Sequence, residues 1–186
     1  MNVALNVRYL IVLAIGFSSC HGGNAQPRPD AIAKELQSAK STLLKDPTSI
    51  TAKNEIRRAA KSEYPFERMY AVATIGELGS IGAFAMPEIL EALGSGDPFV
   101  EREAARAVGS IGRAASRICP DVVPALMDKL RRPESDVAWF AAESLGELGP
   151  DAVPSIAELR EAAKSTNVNM RDSSRKSLKK LTGSEE

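Results

Sequence analysis

Histidine and cysteine are scarce in this sequence, and their scarcity excludes several kinds of chemistry. The chain contains one histidine, His21, and two cysteines, Cys20 and Cys119. The body of the chain beyond His21 therefore has no nucleophile–histidine pair and no cysteine spacing of the kind that binds zinc. Two cysteines give no disulfide framework. We predict no catalytic residue, no metal site and no cofactor, and we expect Cys119 to be a small buried apolar residue.

Neither sign of charge is in excess. Lysine and arginine together number 24, aspartate and glutamate also number 24, and the formal net charge is zero. Proteins that bind nucleic acid usually carry a basic excess, so we predict no nucleic-acid partner. Aromatic residues make up only 5% of the chain, which leaves few positions for an aromatic contact with a partner.

Long apolar runs are also missing, except for one near the N-terminus. It covers residues 9–17, and two serines and Cys20 follow it. The run is shorter than the roughly 20 apolar residues that span a bilayer. A basic start, a short apolar core and small residues after it are typical of a secretory signal peptide. We predict a signal peptide over residues 1–19 and a flexible tether over residues 20–28.

The cleavage position decides whether the exported chain is anchored. Residues 17–20, Phe-Ser-Ser-Cys, resemble the lipobox of bacterial lipoproteins, in which the cysteine becomes the lipidated N-terminus. This resemblance implies lipidation at Cys20 and attachment to a membrane of the bacterial cell envelope. The alternative is cleavage after the small-x-small pattern at residues 23–25, which would release a soluble exported chain that begins at Gln26.

A nine-residue motif recurs along the rest of the chain. Its copies are at residues 71–79, 104–112 and 141–149, with a less regular copy at 174–181. The sixth residues of successive copies are 33, 37 and 33 positions apart. A repeat of this length is typical of stacked helical units. We therefore predict an all-α fold, an α-solenoid of stacked antiparallel helix pairs.

Each copy of the motif ends a first helix, and a proline after it opens a second helix. These prolines are Pro87, Pro124 and Pro154, and proline suits the first position of a helix because that N–H has no partner within the helix. The repeats cover residues 63–183. The second repeat carries about four extra residues between Arg113 and Pro120.

Two helices without the motif precede the repeats. The first is predicted over residues 31–45 and the second to about Lys61, with Asp46 as its cap and Pro47 as its first residue. They form a hairpin, and we interpret residues 29–62 as the N-terminal cap of the array.

Small residues recur on the first helices. Ala104 and Ala141 stand at matched positions, as do Gly109 and Gly146. A glycine lowers helix propensity by about 1 kcal/mol relative to alanine. Because this cost recurs at one place in the repeat, we predict that neighbouring first helices approach closely there. The glycines that end the motif serve as helix stops.

The fourth copy replaces small apolar residues with serine, and Lys179 stands where the other copies have glycine. An array needs a terminal cap with a polar outer face. The basic residues that would form this face are Arg171, Arg175, Lys176, Lys179 and Lys180. The alternative is a basic patch for an anionic partner.

The repeats resemble the HEAT family, and within it the short HEAT-like units of phycobilisome lyases. The resemblance covers residues 65–181. It rests on the motif Ala-Ala-x-x-Leu-Gly-x-Leu-Gly, on the proline after it, and on an Asp or Asn before the next repeat. It implies a solenoid that binds other proteins, and the motif specifies a fold and no chemistry. We expect an exported, membrane-anchored interaction module; the alternatives are a structural subunit of an envelope assembly and a lyase-like enzyme.

The binding surface is predicted on the second helices, which usually line the concave face of a solenoid. The charged residues expected to point outward there are Glu88, Glu91, Asp128, Lys129, Glu158 and Glu161. They are mostly acidic. Trp139 and Phe140 are adjacent on the first helix of the third repeat, where they either pack in the core or contact a partner.

Overall fold

The computed structural model describes residues 29–132 and 135–184. In chain order the α-helices are α1 (Pro29–Lys45), α2 (Ile50–Ala60), α3 (Pro65–Glu77), α4 (Met86–Leu93), α5 (Pro98–Ile111), α6 (Arg113–Ile118), α7 (Val122–Lys129), α8 (Asp136–Leu148), α9 (Ile156–Ala162) and α10 (Val168–Thr182). Two 3₁₀ helices, Gly79–Ala85 and Gly149–Ser155, follow α3 and α8. The described ranges contain no strand, and the predicted all-α solenoid is confirmed.

The predicted signal peptide, tether and lipidation site at Cys20 lie outside the described residues. Within the part that is described, no helix is long and apolar enough to cross a membrane.

The helices form two layers. In the first layer α3 packs against α5, α5 against α8, and α8 against α10, with α1 in contact with α3 at the N-terminal end. The second layer consists of α2, α4, α7 and α9, and each of these helices packs against the first-layer helix that follows it. The second-layer helices barely touch one another. The core therefore lies between the layers.

The glycines of the motif lie where first-layer helices touch. A Cβ atom added at Gly109 would lie 2.7 Å from Ser144 Oγ, and one at Gly146 would lie 2.5 Å from Ser177 Oγ. A Cβ at Gly76 would lie 3.0 Å from the Cα of Ala107. The prediction that close packing requires these glycines is confirmed. The three contacts are equivalent, which also confirms 71–79 as the first copy of the motif.

Two serines join the first-layer helices by hydrogen bonds. Ser144 Oγ donates to the carbonyl oxygen of Ala105 at 2.6 Å, and Ser177 Oγ donates to that of Ala142 at 2.7 Å. Both serines are buried. A small hydroxyl therefore fits into the close contact and finds an acceptor there, as buried polar groups require.

The start of α2 differs from the prediction. It begins at Ile50, with Ser49 as its cap, and Pro47 lies before it. The carboxylate of Asp46 accepts hydrogen bonds from the N–H and the hydroxyl of Thr48. Asp46 therefore stabilises the turn between α1 and α2 and does not cap the helix.

None of the three prolines is the first residue of its predicted second helix. Pro87 and Pro124 lie within the first turns of α4 and α7, but Pro154 lies inside the second 3₁₀ helix. The equivalent residues of α4, α7 and α9 are Ile89, Leu126 and Leu159, all with 0% exposure. The second-layer register therefore follows the buried aliphatic residues, because packing on the core sets it. In the second repeat, α6 occupies the predicted four-residue insertion.

Three further predictions concern the edges of the core. Cys119 was predicted to be buried, but it is half-buried because it follows α6 at the margin of the core. Trp139 and Phe140 are stacked with ring centroids 3.7 Å apart, and both pack partly against the core. On α10, Arg175 and Lys176 are exposed, which confirms a polar outer face there.

Candidate protein-binding surface

The six charged residues predicted to point outward separate into three environments. Glu91, Asp128 and Glu161 occupy equivalent positions on α4, α7 and α9, and all three are exposed as predicted. Asp128 and Glu161 each pair with a cation three residues later on the chain. These three carboxylates are the part of the predicted surface that faces solvent.

Glu88 is buried, with 5% exposure, and its predicted outward position is wrong. Its Oε1 lies 3.7 Å from Arg57 Nε and 3.5 Å from Lys61 Nζ, both contributed by α2. Arg57 also donates to the backbone oxygen of Phe84 and lies 5.5 Å from the centre of the Phe84 ring. Glu88 therefore connects the N-terminal hairpin to the first repeat, and it offers no charge to a partner.

Lys129 is only partly exposed, because an ion pair holds its ammonium against the first layer. Its ammonium lies 2.8 Å from Glu101 Oε1, and the two side chains are only 19% and 12% exposed. The same carboxylate oxygen accepts the N–H of Gly96 at 3.0 Å. The expectation that Lys129 points outward is wrong because α5 supplies an acid directly beneath it.

A groove separates α7 from α9. It has a volume of about 450 Å³, and its lining includes the apolar residues Met127, Leu130 and Ala162. Arg131, Glu158, Glu161 and Lys164 add charged groups to the lining. An apolar base with a few polar groups is typical of a ligand or peptide groove.

The charges in this groove are not equally satisfied. Arg131 pairs with Asp128 at 2.8 Å, and Lys164 pairs with Glu161 at 2.7 Å. Glu158 Oε2 is buried and accepts no hydrogen bond from any described residue. A buried acceptor without a donor is uncommon in folded proteins and requires a physical explanation.

Glu158 is the structural equivalent of Glu88. Glu88 follows Arg57 by 31 residues and Lys61 by 27 residues. Glu158 follows Met127 and Arg131 by the same two intervals. The two cations that neutralise Glu88 are therefore replaced by an apolar side chain and by an arginine that pairs with Asp128. In the middle of the array the equivalent residue is Ala125, which carries no charge.

Sequence reasoning missed a second cleft, which lies where α5 and α8 begin. Its volume is about 460 Å³, and Phe99, Arg102 and Lys129 contribute to its lining. Phe99 is 60% exposed, and the guanidinium of Arg102 lies 5.6 Å from its ring centre. Phe66 and Phe99 stand 33 residues apart, which is one repeat length. This match was the signal in the sequence that could have pointed to Phe99.

The part of the chain that the structure describes contains no group of three or more His, Cys, Asp or Glu side chains placed to hold a metal ion. The second layer therefore offers the exposed sides of its helices and the groove between α7 and α9.

Comparison with known proteins agrees with this architecture. The crystal structure of an engineered protein from the Northeast Structural Genomics Consortium is similar, with a TM-score of 0.68 and 18% sequence identity. The match covers 96% of this chain and 81% of that one. A search of the curated proteins finds no match. Residues 87–179, half of the chain, match the family model of HEAT repeats, and the chain therefore belongs to the HEAT-repeat family.

Proposed function

We propose that this protein is a non-catalytic interaction module that binds another protein through the exposed side of its second-layer helices. The observation that carries the proposal is the open groove between α7 and α9, which combines apolar side chains with the unpaired carboxylate oxygen of Glu158. HEAT repeats generally serve as surfaces for other proteins, and stacked helical repeats offer an extended surface for this purpose. The repeat motif specifies a fold and no chemistry.

We further propose that the module is exported and held at a membrane of the bacterial cell envelope. The support is the N-terminal sequence, in which a short apolar run precedes Cys20. A lipid on Cys20 would attach the chain, and residues 20–28 would separate the helical array from the membrane surface. A Cys20→Ala variant should then leave the membrane fraction or remain unprocessed. A wild-type protein that is already soluble and begins at Gln26 would contradict the anchor.

Site-specific photocrosslinking in intact cells tests the binding surface. A photoreactive residue in place of Glu161, at the groove, should form a crosslink to a partner protein. The matched control is Ser110, which is exposed on the first-layer helix α5 and should give no crosslink. Crosslinks of equal yield from both positions, or none from either, would overturn the proposed surface. A complex that survives purification would favour a structural subunit of an assembly, whereas a crosslink without a stable complex would favour a transient partner.

A further inference from the structure

We infer that the groove between α7 and α9 binds a partner segment in which a lysine or arginine stands beside an apolar residue, and that Glu158 recognises the cation. This inference rests on the proposed function and specifies the chemistry of the partner. It comes from a comparison of two equivalent places in the second layer. The first junction lies between α2 and α4, and the last junction lies between α7 and α9.

At the first junction the protein provides its own cation. Glu88 is held between Arg57 and Lys61, at 3.7 and 3.5 Å. The ring of Phe84 lies 5.5 Å from the same guanidinium. At this position the preceding second-layer helix therefore supplies the cations that pair with the carboxylate. Glu88 Oε2, like Glu158 Oε2, is buried without a hydrogen-bond donor, so the two glutamates differ in their ion pairs.

At the last junction the carboxylate is kept but the cation is missing. Met127 stands where Arg57 would be, and its thioether cannot donate a hydrogen bond to Glu158. Arg131 stands where Lys61 would be, but its guanidinium pairs with Asp128 of α7 at 2.8 Å. Lys164 pairs with Glu161 at 2.7 Å. Glu158 Oε2 therefore remains buried without a donor.

Met127, at the position equivalent to Arg57, also gives the groove an apolar wall. Met127, Leu130 and Ala162 line this space, and methionine is common at surfaces that adapt to several side chains. An aliphatic or aromatic side chain of the partner can cover these groups while a neighbouring guanidinium or ammonium reaches Glu158. An ionised donor makes a stronger hydrogen bond to a carboxylate than a neutral donor does.

The charge of the groove selects among occupants. An acidic peptide or an anionic lipid surface would place a second negative charge against Glu158, whose burial limits screening by solvent. We therefore commit to a cationic, partly apolar peptide segment as the occupant of the groove.

Selection from a displayed random peptide library on the immobilised full-length chain provides the probe. We expect the enriched peptides to contain Arg or Lys next to Leu, Ile, Met or Phe. Fluorescence anisotropy should show that Glu158→Gln weakens their binding about tenfold or more, because a charge-assisted hydrogen bond is lost. Glu55→Gln, at an exposed carboxylate of α2 outside the groove, is the control for the loss of one acidic group and should change the affinity less than about twofold. Replacement of the peptide arginine by its neutral analogue citrulline should have the same effect as Glu158→Gln.

A second variant tests the comparison of the two junctions directly. Met127→Arg provides the cation that Arg57 provides at the first junction, so it should fill the groove and weaken peptide binding about tenfold or more. Met127→Leu keeps the apolar lining and should retain binding. The inference would be overturned if the selection enriched acidic or uncharged peptides or enriched none. It would also be overturned if wild type and Glu158→Gln bound the enriched peptides with equal affinity.

The inference and the proposed function fail in different ways. A partner that crosslinks at Glu161 in cells but binds Glu158→Gln equally well would leave the proposed function standing and refute the cation preference. Peptides that depend on Glu158, together with no crosslinked partner in cells, would refute the proposed function and leave the preference of the groove intact.

Discussion

The two layers of the array use side chains in opposite ways. In the first layer, Gly109 and Gly146 bring neighbouring helices so close that an added Cβ would lie under 3.0 Å from a serine of the next helix. In the second layer the helices make few contacts with one another. Charged residues connect the end of α2 to α4 and contribute to the lining of the groove between α7 and α9. The first layer therefore sets the stacking of the repeats, and the second layer is free to vary. In a stacked array each repeat contacts only its neighbours, so the two tasks can be separated in this way.

The two equivalent junctions of the second layer also differ: the first, between α2 and α4, contains ion pairs to its glutamate, and the last, between α7 and α9, does not. Glu88 forms ion pairs with two cations at the C-terminal end of α2, whereas the equivalent Glu158 faces Met127 and forms no ion pair with a described residue. Each glutamate keeps one buried oxygen without a hydrogen-bond donor. The same backbone position thus serves cohesion at one end of the array and, in our proposal, recognition at the other. Three predictions test this contrast between the layers and between the junctions, and a fourth concerns the turn between α1 and α2.

The largest expected effect is that of Gly146→Ala in the first layer. The new Cβ would lie 2.9 Å from Ser177 Cα, a backbone atom that can move only if a whole helix moves. Overpacking of this kind costs about 1–3 kcal/mol, which denaturant unfolding monitored by circular dichroism would measure. Gly94→Ala is the matched control, because a Cβ there would meet only carbonyl oxygens at 3.8 and 3.9 Å. Equal stabilities of the two variants would contradict the close contact.

The next effect concerns the serine bonds of the first layer. Ser177→Ala removes the hydrogen bond to the carbonyl oxygen of Ala142 and leaves the rest of the contact unchanged. The free energy of unfolding should fall by about 0.5–1.5 kcal/mol. Ser110→Ala removes an exposed hydroxyl that bonds within its own helix, and its unfolding midpoint should stay near that of the wild type. A smaller loss for Ser177→Ala than for Ser110→Ala would argue against a role for the hydroxyl in stacking.

A smaller effect should distinguish the two junctions. Glu88→Gln removes an acid from beneath two cations and should lower the free energy of unfolding by less than about 1 kcal/mol, because Arg57 and Lys61 are themselves 42% and 57% exposed. Glu158→Gln should leave it unchanged or slightly higher, because no cation is lost. Thermal unfolding at matched concentration compares them. A larger destabilisation from Glu158→Gln would indicate that the last junction is closed by a contact within the chain.

The smallest effect is electrostatic and local. The hydrogen bond from the Thr48 hydroxyl, followed by the one from the Thr48 N–H, holds the pKa of Asp46 below its ordinary value. Because the folded-state pKa is lowered, the stabilisation from these bonds is complete above the ordinary aspartate pKa and is lost as the pH falls through the folded pKa. In Thr48→Ala the pKa of Asp46 should rise towards its ordinary value. Carboxyl titration by NMR would detect this, and an unchanged pKa would contradict the cause that we assign.

Prediction from the sequence was most accurate where neighbouring residues decide the structure. The motif spacing gave the all-α solenoid, and the glycines that looked costly for a helix are at the contacts between first-layer helices. It was least accurate in the second layer. The alignment through Pro154 was wrong, because buried Leu159 sets the register of α9 and the proline falls in the 3₁₀ helix before it.

The predicted surface shows the same division. The exposed positions of Glu91, Asp128 and Glu161 follow from helix periodicity, which places every third or fourth residue on one face. The burial of Glu88 and the pairing of Lys129 with Glu101 do not follow from it, because each depends on a residue contributed by another helix.

The sequence by itself determined the repeat, the helix pairs and the faces that must be buried, since these depend on the order of apolar and small residues along one helix. Only the tertiary structure decided that Glu88 pairs with Arg57 and Lys61 while Glu158 forms no ion pair with a described residue. Glu88 and Glu158 occupy equivalent positions in their repeats. Their difference arises because burial and pairing depend on what the preceding second-layer helix places opposite them, about 30 residues away.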